Sequence, residues 1–139
     1  MHIKVVYISR GGNTAKLAQA IAGAVGTTAE PADTAVIREP VDVLFVVGSI
    51  YAGGLDKRMK SFLEGLSAEQ VRKVAVCSSA ASGKSARNLV VAQLHGKSIL
   101  VAEREFSCRG SFLLANMGRP NAQDLQQAAE FAVQSLADA

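Results

Sequence analysis

The sequence contains only two cysteines, no tryptophan and no long apolar run, and these shortages exclude several kinds of protein. Because two cysteines cannot build a disulfide framework, we expect Cys77 and Cys108 to be buried thiols in a reducing compartment. No apolar run is long enough to span a membrane, and the amino terminus lacks the pattern of a signal peptide. These shortages predict a cytoplasmic protein that has no membrane partner.

Charge is also sparse, since 19% of the residues are charged and the net charge is +3. So small a positive net charge, without lysine and arginine interleaved among aromatic residues, argues against binding to nucleic acid. His2 and His95 stand alone, with no second ligating residue at a suitable spacing, so we expect no metal site. The 139 residues, 49% of them hydrophobic, are enough for one globular domain over residues 1–139.

What the sequence does contain is a regular alternation of apolar runs and amphipathic stretches. The apolar runs predict strands at 3–8, 42–47, 72–78 and 98–106, with a weak short strand at 27–30. The amphipathic stretches predict helices at 14–25, 55–66 and 84–94, and a last helix capped by Asn121. Pro31 and Pro40 leave little room for a helix between the second and third strands. This alternation predicts a three-layer α/β fold, with a doubly wound parallel sheet of five strands that binds ligands beyond its carboxyl ends.

The first predicted strand ends in a short loop that is suited to an anion. This loop consists of Ser9, Arg10, Gly11, Gly12, Asn13 and Thr14. The two glycines let the backbone approach a ligand closely, and the serine, asparagine and threonine side chains add donors. The unpaired N–H groups of the following helix and its positive macrodipole point in the same direction. We therefore predict that this loop binds a phosphate group.

Two further loops leave the carboxyl ends of later strands with small or polar residues. The second predicted loop spans Gly48 to Gly54, and its candidate binding residues are Ser49, Ile50, Tyr51, Ala52, Gly53 and Gly54. The candidates in the third loop are Ser79, Ala80, Ala81 and Ser82. An aromatic ring among so many small residues favours a planar ligand that stacks on Tyr51. Backbone and hydroxyl groups of the third loop are expected to reach the far edge of that ligand.

These motifs resemble those of the flavodoxin-like family. The loop at residues 9–14 is similar to the family's Thr/Ser-x-Thr-Gly-x-Thr phosphate loop, and GSIYAGG resembles its second flavin loop. The segments 108–112 and 118–121 are similar to the ending of a short-chain branch. The resemblance implies a strand order of 2-1-3-4-5, FMN as the cofactor and electron transfer through the flavin. It also implies redox protein partners or a small-molecule acceptor, a monomer or weak homodimer, and no catalytic side chain, because the flavin carries the chemistry.

The sequence departs from the family pattern in two respects. Gly11 replaces a hydroxyl residue of the phosphate loop, and the absence of tryptophan leaves only Tyr51 for stacking on the flavin, so we expect looser FMN binding. Cations also outnumber acids near the predicted site, where Asp56 stands against Arg10, Lys57, Arg58, Lys84, Arg87, Arg109 and Arg119. Because positive surroundings favour an anionic reduced flavin, we expect a less negative potential than in acidic carriers. We also expect an acidic protein partner or an anionic reductant.

Other functions remain open at this point. The resemblance is compatible with an FMN-dependent NAD(P)H:acceptor reductase of the quinone type, and the substituted phosphate loop with a flavin-free interaction module. Residues 78–85 match a P-loop except that Ser78 replaces the first glycine, but the motif follows the fourth strand and lacks a magnesium-holding aspartate. A receiver domain would need clustered acids at the strand ends, where this sequence has serine and glycine. A redox pair of Cys77 and Cys108 lacks the spacing of a C-x-x-C motif.

Overall fold

A computed structural model describes residues 1–9, 12–51, 54–80, 86–109 and 120–138, except for the side chains of 49–51, 79–80 and 109. The strands are β1 (Ile3–Tyr7), β2 (Ala29–Pro31), β3 (Val41–Tyr51), β4 (Gly54–Leu55), β5 (Val71–Ala80) and β6 (Leu100–Arg109). The helices are α1 (Asn13–Val25), α2 (Lys57–Glu64), α3 (Arg87–Gln93) and α4 (Ala122–Ala137). None of the helices in these ranges is long and apolar enough to cross a lipid bilayer.

All strands join one sheet in the order β2-β1-β3-β5-β6, and the short β4 pairs antiparallel with β3 outside this path. Every pair along the path is parallel. When the two-residue β4 is left out of the count, the order is 2-1-3-4-5, which confirms the order that the family resemblance implies. The order reverses at β1, because β2 lies on one side of it and all later strands lie on the other. This is the switch point where α/β sheets bind ligands.

The central strand β3 supplies side chains to two cores, one on each face of the sheet. Val43, Phe45 and Val47 pack against α1 and α4, and each of them is no more than 1% exposed. Leu44 and Val46 point to the opposite face, where they pack with residues of α2 and α3. Because helices cover both faces, β3 can be apolar at every position from Val43 to Val47, as the unbroken run in the sequence indicates.

The helices bury the stripes that their amphipathic spacing predicts. The fully or nearly fully buried residues on them include Leu17, Ala18, Ile21, Met59, Leu63, Val90, Ala128 and Ala132. Phe131, three residues after Ala128, lies on the same face of α4 and is buried against the sheet. Its ring meets Phe45 edge to face, with 6.1 Å between centroids and 79° between planes. Such a pair adds about 0.5–1.5 kcal/mol beyond the burial of the rings.

The structure corrects the predicted ends of the second and third binding loops. β3 does not stop at Val47, because Gly48 and Ser49 continue the ladder and pair with Ser78 and Ser79 of β5. The prediction that loops begin at Gly48 and at Ser79 was therefore wrong, because these residues still belong to β3 and β5. Glycine and serine have low strand propensity, but pairing with a neighbouring strand overrides that preference.

Other boundaries differ for local reasons. β2 lies at Ala29–Pro31 rather than at 27–30, and β6 begins at Leu100 rather than at Ser98. Ser98 has a φ of 59°, a left-handed conformation that does not fit an extended strand. Leu55, the predicted first residue of the second helix, lies in β4 with Gly54, and α2 begins at Lys57.

The connection between β2 and β3 contains no helix, as the two prolines predict. A turn follows β2, in which the N–H of Ala35 donates to the carbonyl of Pro31 at 3.0 Å. Ala35 and Ile37 then pack against the core on the α2 side, while Val36 between them is 57% exposed. A single layer of extended chain therefore covers this part of the sheet.

Candidate functional site

The three predicted binding segments follow neighbouring strands, and the structure brings their described parts together. Tyr7 of β1 pairs with Val47 of β3, two residues before Ser9 and Ser49 respectively. Ser49 in turn pairs with Ser79 of β5. The carboxyl ends of β1, β3 and β5 therefore lie side by side next to the switch point. We call this side of the sheet the carboxyl edge.

The N-cap residue of α1 is a glycine, which has no side chain to cap the helix. This residue, Gly12, has a φ of 87°, and a Cβ placed on it would meet no atom of the described residues within 4 Å. Its N–H donates to Ser9 Oγ at 3.0 Å, so the hydroxyl hydrogen of Ser9 can be directed to another acceptor. The starts of α2 and α4 differ, because Asp56 and Asn121 cap them with their own side chains.

These features fit a phosphate group. The first turn of α1 contains no acidic side chain that would repel an anion, and the N-cap glycine leaves open space in front of it. The partial positive charge of the helix end favours an anion there. Asn13 is the first helical residue and Thr14 is only 1% exposed, while Arg10 and Gly11 lie outside the described residues. Contacts of individual side chains of this turn with a phosphate stay a prediction.

The second predicted segment is a hairpin rather than an irregular loop. Ile50 pairs with Leu55, and Tyr51 pairs with Gly54, so β3 and β4 run antiparallel on either side of residues 52–53. The predicted site residues Ala52 and Gly53 lie outside the described part of the chain. For Ser49, Ile50 and Tyr51 only the backbone is described, so stacking on Tyr51 stays a prediction.

The third predicted segment begins inside β5. Ser79 and Ala80 are its last two residues and pair with Cys108 and Arg109 of β6, whereas Ala81 and Ser82 lie outside the described residues.

The residue before this segment, Ser78, has a role that the sequence did not reveal. Ser78 is fully buried, and its Oγ accepts a hydrogen bond from the N–H of Ala86 at 3.3 Å. This bond ties the end of β5 to the start of α3, across the segment that joins them. Ser78 stands where a P-loop has its first glycine. At this position its hydroxyl group makes a structural hydrogen bond.

Two of the cations that were expected around the site have partners within the protein. Arg58 donates to Asp56 Oδ1 through Nε at 3.1 Å and to Oδ2 through Nη2 at 3.2 Å. Arg87 donates through Nε to the carbonyl of Ala102 at 2.8 Å. Asp56 therefore neutralises the Arg58 guanidinium, whereas Arg87 keeps its positive charge but is held by backbone carbonyl groups of β6.

Arg87 fills a gap in the hydrogen bonding of β6. The register with β5 changes from Val74–Val101 to Val76–Glu105, so two extra residues bulge out of β6. Inside a bulge the ladder is interrupted, and the carbonyl groups need other donors. The guanidinium of Arg87 supplies them, since it also reaches the carbonyl of Val101 at 3.4 Å.

Of the remaining expected cations, Lys57 is exposed at the start of α2. Arg10, Lys84 and Arg119 lie outside the described residues, as does the side chain of Arg109.

The two cysteines are free and buried, as the sequence predicts. Burial raises the pKa of the Cys77 thiol well above its usual value, and the nearby Cys108 raises it further. The two residues are not directly opposite, since Cys77 pairs with Phe106 and Cys108 pairs with Ser79. A raised thiol pKa means little reactive thiolate near neutral pH, so Cys77 suits a core role.

The described residues contain no cluster of histidine, cysteine or acidic side chains that could hold a metal ion. They line two larger cavities, of about 590 and 500 Å³, on either side of the connection between β2 and β3. None of the predicted binding residues within the described ranges lines either cavity. These residues lie at the carboxyl edge, away from the two grooves.

Comparison with known proteins identifies the family and the fold of the chain. A family model described as a flavodoxin domain matches residues 4–123. A flavodoxin from the domain Archaea superposes with a TM-score of 0.81 at 17% identity, covering 99% of this chain and 98% of that chain. A short-chain flavodoxin associated with a non-canonical PDU bacterial microcompartment gives a TM-score of 0.75 at 13% identity, with 99% of both chains covered.

The same fold also occurs within a longer protein. The Flv1 flavodiiron core from Synechocystis sp. PCC6803 superposes with a TM-score of 0.71 at 20% identity, covering 99% of this chain and 36% of that chain. At these identities the structural similarity shows the fold alone. No curated protein matches the sequence significantly.

Proposed function

Because the chain belongs to the flavodoxin domain family, which binds flavin, we propose that it holds FMN at the carboxyl edge and transfers electrons between redox partners. The observation that carries this proposal is the start of α1, with its glycine N-cap, beside the adjoining ends of β1, β3 and β5. A cofactor with a phosphate at one end and a planar ring at the other needs an anion site next to a group of strand ends. The helix start beside these strand ends supports that assignment.

Each part of the edge has a separate task in this proposal. Ser9 and the first turn of α1 hold the phosphate, through a hydroxyl and the helix end. The β3–β4 hairpin and the end of β5 bound the ring. FMN supplies the reversible electron transfer when bound, while the protein supplies binding, orientation and electrostatics.

The test compares FMN with riboflavin, which has the same ring but no phosphate. Apoprotein is titrated with each flavin while flavin fluorescence is followed. If the turn holds the phosphate, FMN binds more tightly. One charge-assisted hydrogen bond is worth about 1.5–3 kcal/mol, so the preference should be roughly 10- to 150-fold.

α1 offers a matched pair of variants for this titration. Gly12 and Gly26 lie at its two ends, with φ values of 87° and 77°, and each has open space where a Cβ would be. Gly12→Ala and Gly26→Ala should therefore both destabilise the fold by about 1–2 kcal/mol. Only Gly12→Ala should reduce the preference for FMN over riboflavin. Equal affinity for the two flavins would exclude the phosphate turn, and no binding of either would exclude a flavin function.

A further inference from the structure

The connection between β2 and β3 is held to the sheet by few buried side chains. We call residues 32–40 of this connection the strap. Its first residue, Ala32, is 3% exposed, but none of the residues 33–40 is fully buried, and of these only Ala35 and Ile37 pack against the core. By contrast, α2 and α3 each bury a side chain completely on the same face of the sheet. The strap therefore gains less from apolar burial than these helices do.

Open grooves flank the strap on both sides. The two cavities of about 590 and 500 Å³ share Ala35, Val36 and Ile37 as lining residues, so these three residues form the partition between them. Within the described part of the chain, the N–H groups of residues 36–39 make no backbone hydrogen bond. Segments with few buried contacts and exposed backbone groups open at a lower free energy than the whole fold.

The strap is bonded to β2, which is itself weakly attached. The N–H of Ala35 donates to the carbonyl of Pro31, the last residue of β2, at 3.0 Å. β2 has only three residues, and among the described strands it pairs with β1 alone. Its Glu30 forms an ion pair with Lys4 of β1 at 2.7 Å, but both side chains reach solvent, so the pair contributes little. β2 and the strap can therefore separate from the sheet together.

This part of the chain adjoins the predicted phosphate turn. The N–H of Ala32 donates to the carbonyl of Tyr7, the last residue of β1, at 2.8 Å. Two residues after Tyr7, Ser9 Oγ accepts the N–H of Gly12 at the start of α1. On its other side, Tyr7 pairs with Val47 of β3. The closed strap therefore supports the end of β1 from the side opposite β3.

We propose that β2 and the strap, residues 29–40, open together while the rest of the sheet stays folded, and that an anion at the phosphate turn holds them closed. The second half of this inference rests on the proposed function, because FMN would supply the anion. A ligand that binds only the closed form lowers the open fraction by the factor 1 + [L]/Kd. The strap would then report the state of the flavin site to the opposite face of the sheet.

Hydrogen exchange of the unliganded protein, followed by NMR for each residue, tests the opening. The reporters are the N–H groups of Ala32 and Ala35, and the reference is Phe45 of the central strand β3, which is paired on both sides. Protection of the two reporters should agree within about threefold and lie at least roughly 100-fold below that of Phe45, because one local opening exposes both. Unequal protection of the reporters, or protection equal to that of Phe45, would overturn the proposal.

Three variants show which contacts the opening breaks. Ile37→Ala should lower the protection of Ala32 roughly 10-fold, because the contact of Ile37 with the core is lost in the open form. Val36→Ala is the matched control, since Val36 is 57% exposed, and should change that protection less than about threefold. Val90→Ala in α3 should lower the protection of Phe45 but not that of Ala32, because α3 stays packed when the strap opens. If Val90→Ala lowers both equally, Ala32 exchanges only through unfolding of the whole protein, and the local opening is refuted.

Adding flavin tests the second half of the inference. With FMN at about 100 times its Kd, the protection of Ala32 should rise roughly 100-fold. Riboflavin at the same multiple of its own Kd should leave the protection nearly unchanged, because it carries no phosphate. An equal rise with both flavins would show that the anion is not what holds the strap closed.

The outcomes separate this inference from the proposed function. If the protein binds no flavin, the proposed function falls together with the closing effect of FMN, and the exchange of the unliganded protein still decides whether β2 and the strap open as one. If FMN binds with the expected preference but leaves the protection of Ala32 unchanged, the proposed function stands and the link between the strap and the turn falls.

Discussion

Arg87 offers a sharp test of how the edge of the sheet is held together. Its Nε donates to the carbonyl of Ala102 at 2.8 Å, within the bulge of β6, and its stem is partly buried. Arg87→Met keeps most of the apolar stem but removes every donor. The carbonyl groups of the bulge would then have no partner from this side chain.

The expected cost follows from the kind of bond that is lost. A hydrogen bond from a charged donor contributes about 1.5–3 kcal/mol, and the longer contact with Val101 adds little. We therefore expect the free energy of unfolding to fall by about 2 kcal/mol. For a domain of this size that corresponds to a melting temperature lower by roughly 6–10 °C. The free energy of unfolding of Arg87→Lys should lie between the values for the unchanged protein and for Arg87→Met, because an ammonium group can replace one donor but not the planar fork.

Two measurements together identify the cause. Urea unfolding gives the free energy, and hydrogen exchange shows where protection is lost, which should be around residues 101–105. Arg72→Met is the matched control, because Arg72 is an exposed arginine near the start of β5. Its effect should stay within about 0.5 kcal/mol. If Arg87→Met is as stable as this control, the guanidinium does not hold the bulge and the reasoning is refuted.

Four further predictions concern stability and reactivity. Asn121→Ala removes one half of a capping box, with a 2.9 Å bond to the N–H of the third helical residue, and should cost about 1 kcal/mol in urea unfolding. Phe45→Ala empties a fully buried site and should cost about 3–5 kcal/mol by the same assay; a smaller loss would mean that the core closes over the cavity. The thiol of Cys77 should resist a disulfide reagent until the protein unfolds, because burial raises its pKa, and rapid labelling of the native protein would contradict this. The hydrogen bond from Arg104 lowers the pKa of Asp138, so the stability that it provides should be present above pH 4 and lost as the pH falls through the folded pKa, an effect that should be absent in Arg104→Gln.

The fold could be predicted from the sequence because its signals are local and repeated. Apolar runs alternate with amphipathic stretches, and two prolines mark the place where a helix is missing. Strand ends could not be predicted in the same way. Gly48 and Ser49 look like the start of a loop, and only their pairing with β5 shows that they continue β3.

The candidate site was predictable in part. The order of strands places Ser9, Ser49 and Ser79 close together, and this follows from topology alone. The partners of the charged residues did not follow from it. Arg87 has the position of a site cation in the sequence, but a bulge in β6 binds its guanidinium, and nothing in the apolar pattern of β6 predicts that bulge. Side-chain partners of this kind depend on contacts between residues that are far apart in the chain.

The bulge in β6 has a consequence for how copies of the protein meet in solution. Among the described residues, β6 is the last strand at its side of the sheet, and such strands can recruit a strand from a second molecule. Here the two extra residues break the regular spacing of backbone groups, and the exposed charges of Glu103, Arg104 and Glu105 lie along the same stretch. A second copy would find no continuous row of donors and acceptors to align with. The bulge that Arg87 bonds to therefore makes β6 a poor template for a strand of a second copy.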